Sequence, residues 1–139
     1  MAETLQPAGW PRPRGYANGI ATSGRLVFVA GQVGWDARGG VVGPDLVDQV
    51  RQALRNVAAV LAEGGARPEH VARMTWYLAS KDEYNARLAE IGAAYREVMG
   101  KVFPAMTAVQ VSGFVEEGVK VEIEATAVVP EGPDRPGGA

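Results

Sequence analysis

Between Val121 and Ala127 the chain alternates strictly, V-E-I-E-A-T-A. Successive side chains of a strand point to opposite faces, so Val121, Ile123, Ala125 and Ala127 share one face and Glu122, Glu124 and Thr126 the other. A strand of that kind needs an apolar layer against one side and leaves the second side polar. The covering layer is legible upstream. From Asp45, an N-cap residue type, Val47, Val50, Leu54, Val57 and Leu61 recur at three and four positions and predict one helix, stopped by Gly64-Gly65. A second stripe, Tyr84, Leu88, Ile91, Tyr95 and Val98, predicts a helix capped by Asp82 and ended by Gly100.

Strands are expected around these helices. Ala21–Thr22 and Leu26–Ala30 read as two short strands about a Ser23-Gly24 turn, and Val41-Val42 as an extension of the sheet edge after Gly39-Gly40. Val71–Ala79, with Thr75, Trp76 and Tyr77, reads as a strand, and Thr107–Val111 and Val119–Val129 close the order ββαβαββ. The class is α+β, with two helices packed on one face of a mixed sheet. The other face is left to solvent or to another subunit. Residues 1–15 hold Pro7, Pro11 and Pro13 without periodicity and read as an extended arm. A single domain is expected over residues 16–129, and the Pro- and Gly-rich 130–139 as a flexible tail.

Composition removes several classes of function. There is no cysteine, so disulfides, thiolate nucleophiles and cysteine metal sites are excluded. The single His70, expected at the surface where a strand begins, cannot build a histidine zinc site. Neither a metal nor another cofactor is implied by any residue cluster. A net charge of -2 provides no basic surface for nucleic acid or for a membrane. No apolar run approaches the ~20 residues that span a bilayer, and Met1-Ala2-Glu3-Thr4 lacks the basic start and apolar core of a signal peptide, so cytoplasmic residence is expected. Phosphate-loop and dinucleotide patterns are missing, since Gly31-Gln32-Val33-Gly34 is too short for the latter, and Ser112-Gly113 is not a nucleophile elbow.

Four segments taken together carry a resemblance: Gly15-Tyr16-Ala17-Asn18-Gly19, Val29-Ala30-Gly31-Gln32-Val33, Phe103-Pro104-Ala105, and Lys120-Val121-Glu122-Ile123-Glu124-Ala125. In this order and spacing the chain resembles the RidA (YjgF) family from about Tyr16 to Val129. The resemblance implies a chorismate-mutase-like, RidA-like fold, a trimeric barrel-like assembly, and hydrolysis of reactive enamines and imines to ketones and ammonia in clefts between subunits. It implies that Tyr16 lines the pocket, that the Gly31 and Ala108 backbones approach the ligand, and that Glu122 orients the attacking water. Some members have been described as ribonucleases, which an acidic chain without a basic–aromatic pattern does not favour.

Two positions depart from the family. Met106 stands where active members carry an arginine that grips the substrate carboxylate, and Gly92 stands where many carry an asparagine. Arginine offers a planar donor fork, whereas methionine offers only apolar, polarizable contact. Met106 is therefore expected to wall a pocket for a substrate without the usual carboxylate anchor. The alternative is a non-catalytic module on the same trimer that binds a small metabolite or a partner, and a weaker one is a purely structural oligomer. From periodicity alone, Glu122 and Glu124 also read as solvated residues of a polar face, and Glu124 is assigned no chemical role. Trp35, just beyond Gly34, is expected to overhang the pocket mouth or to anchor an interface.

Overall fold

A computed structural model describes residues 2–131. The expected tail lies outside these residues except for Pro130 and Glu131. A four-stranded sheet has the order β3 (Arg25–Val33), β6 (Val121–Val129), β4 (Val71–Leu78), β5 (Ala105–Gln110). The long helix α1 (Leu46–Glu63) and the pair α2 (Lys81–Ala86) and α3 (Leu88–Met99) also belong to this layer pair. β6 is antiparallel to both its neighbours, and β4 and β5 run parallel, so the sheet is mixed.

The alternation of β6 is realised as expected. Val121, Ile123, Ala125 and Ala127 are buried, while Glu122, Glu124 and Thr126 are half-buried on the opposite face. The buried set packs with Val50, Leu54, Val57 and Leu61 of α1 and with Met74 and Trp76 of β4 in one apolar core. α1 starts where its sequence predicts. Asp45 Oδ2 accepts the Asp48 N–H at 3.0 Å, and the Gly64 N–H closes the last turn on Leu61 O at 3.0 Å.

Several local expectations are corrected. The second helical stripe is two helices, because Arg87 leaves the helical conformation (φ -125, ψ 27) and sends its guanidinium to Asp45 at 2.6 Å and Glu90 at 2.7 Å. Its cap is Ser80, whose Oγ accepts the Glu83 N–H at 3.1 Å, and Asp82 sits inside the first turn. The two early strands do not pair with each other. β2 (Gly19–Ala21) pairs with β1 (Glu3–Leu5) of the N-terminal arm, while β3 crosses to β6. Three consecutive residues without a period are too short to announce a strand; a partner across a turn-rich segment defines β1. Val41 makes an isolated bridge to Trp35 and does not extend the sheet edge. His70 closes a short 3-10 turn, Pro68–His70, where its Nδ1 accepts the Arg67 N–H at 3.0 Å.

Gln49 is the buried polar side chain of α1, and both its amide nitrogen and its amide oxygen are bonded to groups outside the helix. Nε2 donates to Gly43 O at 2.7 Å and Gly118 O at 2.9 Å, and Oε1 accepts the Lys120 N–H at 2.8 Å. One amide thus pins the loop before α1 and the entry to β6, the strand that carries Glu122. Satisfying every group is what makes such burial tolerable.

Candidate functional site

The residues singled out in the sequence fall into two groups on opposite faces of the sheet. On the open face, β3 bulges: Val29 faces Ala125 and Gln32 faces Ile123, so Ala30 and Gly31 oppose the single residue Glu124. The bulge brings Gly31 against Glu122. A methyl group on Gly31 would overlap Glu122 Oε2 and lie 2.9 Å from its carboxyl carbon, so the carboxylate rests directly on the glycine backbone. Close approach of this kind requires the missing side chain.

Glu122 and Glu124 share a shallow depression with Tyr77, Val111, Gly113 and Phe114. The Tyr77 hydroxyl donates to Glu124 Oε1 in a very short hydrogen bond. That bond, with burial and the nearby Glu122 charge, raises the Tyr77 pKa above its ordinary value. Glu124 is therefore engaged as an acceptor, and Glu122 has no side-chain hydrogen-bond partner among the described residues. The sequence missed Tyr77 as a member of this group, because its place beside Glu124 follows from the β4–β6 register, Tyr77 opposite Glu122 and Thr75 opposite Glu124.

The second group lies on the helix side of β5. Met106 pairs with Met74 and Ala108 with Trp76, so both share the face that carries the core. The Ala17 N–H bonds Pro104 O at 2.9 Å, which ties the preceding Tyr16 to the start of β5. Tyr16 and Met106 line a cavity of about 340 Å³ together with Trp76, Tyr84, Tyr95 and Phe103. Gly92 of α3 also lines it, and so do Arg14 and Arg96. Neither Gly31 nor Glu122 reaches this cavity within one chain, and Ala108 and Trp35 are absent from its wall. Burial raises the pKa values of Tyr84 and Tyr95, whose rings pack against Trp76 with centroids 6.3 Å away. Among the described residues no group of acidic or histidine side chains is placed to hold a metal. No helix among them is long and apolar enough to cross a membrane.

Comparison with known proteins settles the lineage. Residues 11–129 match the family model described as endoribonuclease L-PSP. The chain belongs to this family, the RidA/YjgF group. A RutC family protein of Pyrococcus horikoshii is 34% identical over 91% of this chain and 98% of its own length. A 2-iminobutanoate/2-iminopropanoate deaminase of Salmonella typhimurium is 30% identical over 92% of this chain and 98% of its own. Among solved structures, a conserved Rid-family protein of unknown function from Yersinia pestis superposes with a TM-score of 0.79 at 32% identity. That match covers 92% of this chain and 98% of the other. The RidA/YjgF fold expected from the sequence, α+β with a mixed sheet and helices on one face, is the fold observed.

Proposed function

We propose that this RidA/YjgF-family protein is an enamine/imine hydrolase that works in the cytoplasm as a homotrimer, on a small substrate that position 106 does not grip by a carboxylate. The observation that carries the reading is the Glu122 carboxylate seated on Gly31, with no side-chain hydrogen-bond partner among the described residues. Imine hydrolysis requires water to attack the C=N carbon and a proton to reach nitrogen as the C–N bond breaks. A carboxylate held at one place can orient that water, take its proton and pass it to the leaving amine. Backbone groups at Gly31 and Ala108 would hold the polar end of the substrate, and Tyr16 and Met106 its apolar side. Deaminase relatives at about 30% identity support the same class of reaction.

The same geometry supports the trimer. Glu122 and the cavity of Met106 lie on opposite faces of one sheet, so a shared site needs another copy to bring them together. The open face also carries Phe28, 71% exposed, and Val109 on the edge strand β5, apolar groups that an interface would cover. A monomeric mass by light scattering at micromolar concentration would overturn this assembly.

The test of the activity is ammonia and keto-acid release when the protein meets 2-aminoacrylate formed in situ by a serine dehydratase. Acceleration over uncatalysed hydrolysis, abolished in Glu122→Gln, is expected. Turnover that survives Glu122→Gln rules out this mechanism. Ligand-induced thermal stabilisation without product would instead favour the binding-module reading, which the absence of a carboxylate-gripping side chain at Met106 supports.

A further inference from the structure

The cavity on the helix side of β5 has a charge pattern that the hydrolase reading does not use. Its wall is apolar and aromatic, and among the described residues no acidic one contributes to it. Two guanidinium-bearing residues, Arg14 and Arg96, do. Arg51, Arg55, Arg67 and Arg87 each hold a carboxylate, but Arg14 and Arg96 have none among the described residues. Arg96 lies one helical turn beyond Gly92, and a methyl group on Gly92 would sit 3.4 Å from Arg96 Nη1. The guanidinium therefore lies along α3 beside Gly92, at the edge of the cavity. Two uncompensated cations at an apolar concavity focus a positive potential into it. Trp76 adds an indole Nε1–H that is buried with no acceptor among the described residues.

We propose that this cavity binds a small aromatic acid, its ring among Trp76, Tyr84 and Phe103 and its carboxylate on Arg96 and Arg14. The proposal rests on the reading of this cavity as the substrate end of the site, and it specifies that substrate's class. A volume of about 340 Å³ suits a single-ring compound, at the small end of the range for ligand pockets. The guanidinium fork recognises a carboxylate two oxygens at a time, and aromatic walls favour a flat body over a flexible chain.

The test is calorimetric titration of the full chain with phenylacetate, phenylacetamide and acetate. Phenylacetate should bind at least about tenfold more tightly than either of the others, since one lacks the charge and one the ring. The double substitution Arg14→Gln with Arg96→Gln should erase the preference for acid over amide and leave phenylacetamide binding unchanged. Arg96→Lys beside wild-type Arg14 should retain part of it. The Trp76 indole N–H resonance should move on titration with phenylacetate. Equal affinity for acid and amide, an undiminished preference in the double variant, or no saturable binding of phenylacetate would each overturn the proposal. Imine hydrolysis is measured on the same preparations. Lost or absent turnover with selective phenylacetate binding refutes the hydrolase reading alone, and turnover without that selectivity refutes this inference alone.

Discussion

Gly31→Ala isolates the contact on which the hydrolase reading depends. The new methyl would overlap Glu122 Oε2 and stand 2.9 Å from the carboxyl carbon and 3.0 Å from Cγ, against 3.4 Å for ordinary contact. The carboxylate must swing away by roughly 1 Å or more, and a misplacement of that size typically lowers a positioned reaction about a hundredfold. The cost to the fold is small by comparison, because the atoms that must move form the end of a half-buried, rotatable side chain. Its chief part is the tighter packing of the bulge, about 1 kcal/mol. The assay is steady-state hydrolysis of in situ 2-aminoacrylate beside urea unfolding of the same protein. The expected pattern is kcat reduced about a hundredfold with a midpoint close to wild type. Wild-type kcat in a well-folded Gly31→Ala protein would refute the assignment of Glu122, because its carboxylate cannot keep its present place.

Met106→Arg should supply a fork for carboxylate substrates and raise kcat/KM for 2-aminoacrylate-derived imines by about tenfold or more, measured by keto-acid release; no gain would mean that Met106 does not face substrate. Gln49→Leu removes three hydrogen bonds that tie α1 to the loop before it and to the entry of β6, and urea unfolding should show a loss of about 2–4 kcal/mol. A loss below about 0.5 kcal/mol would show that water replaces the amide without penalty. Tyr77, Tyr84 and Tyr95 all have pKa values raised in the folded state, so the protonated ring is favoured there. Their stabilisation is complete below the unfolded value of about 10 and is lost as pH rises above it toward the folded values. Melting temperature should fall steeply above pH ~10, and less steeply in Tyr95→Phe. A flat alkaline profile in wild type would contradict this. Asp45 runs the other way: Arg87 and the capped Asp48 N–H lower its pKa. The α1 cap is therefore intact above the ordinary carboxylate pKa and is lost as pH falls below it. Asp45→Asn should weaken the acid dependence of unfolding between pH ~5 and ~2, read by circular dichroism.

Local periodicity determined what it physically can, namely which side of an element avoids water. The faces of β6 and the stripe of α1 from Val47 to Leu61 were legible because burial writes a period of two or of 3.6 directly into the chain. So was the distinctive set of Tyr16, Gly31, Phe103-Pro104-Ala105 and Glu122, which identifies the family without any contact being known. The tertiary structure alone decided how those pieces meet. A one-residue bulge seats Glu122 on Gly31, the β4–β6 register brings Tyr77 to Glu124, and α1 reaches across by Gln49 to hold the strand that carries them. The break at Arg87, unmarked by glycine or proline, coincides with a guanidinium shared between Asp45 and Glu90. Arg14 and Arg96 are 82 positions apart and become one feature only when the arm, α3 and β5 close around a common cavity. Such pairings depend on strand order and on which bulges the packing selects, and these are properties of the whole chain that no local pattern contains.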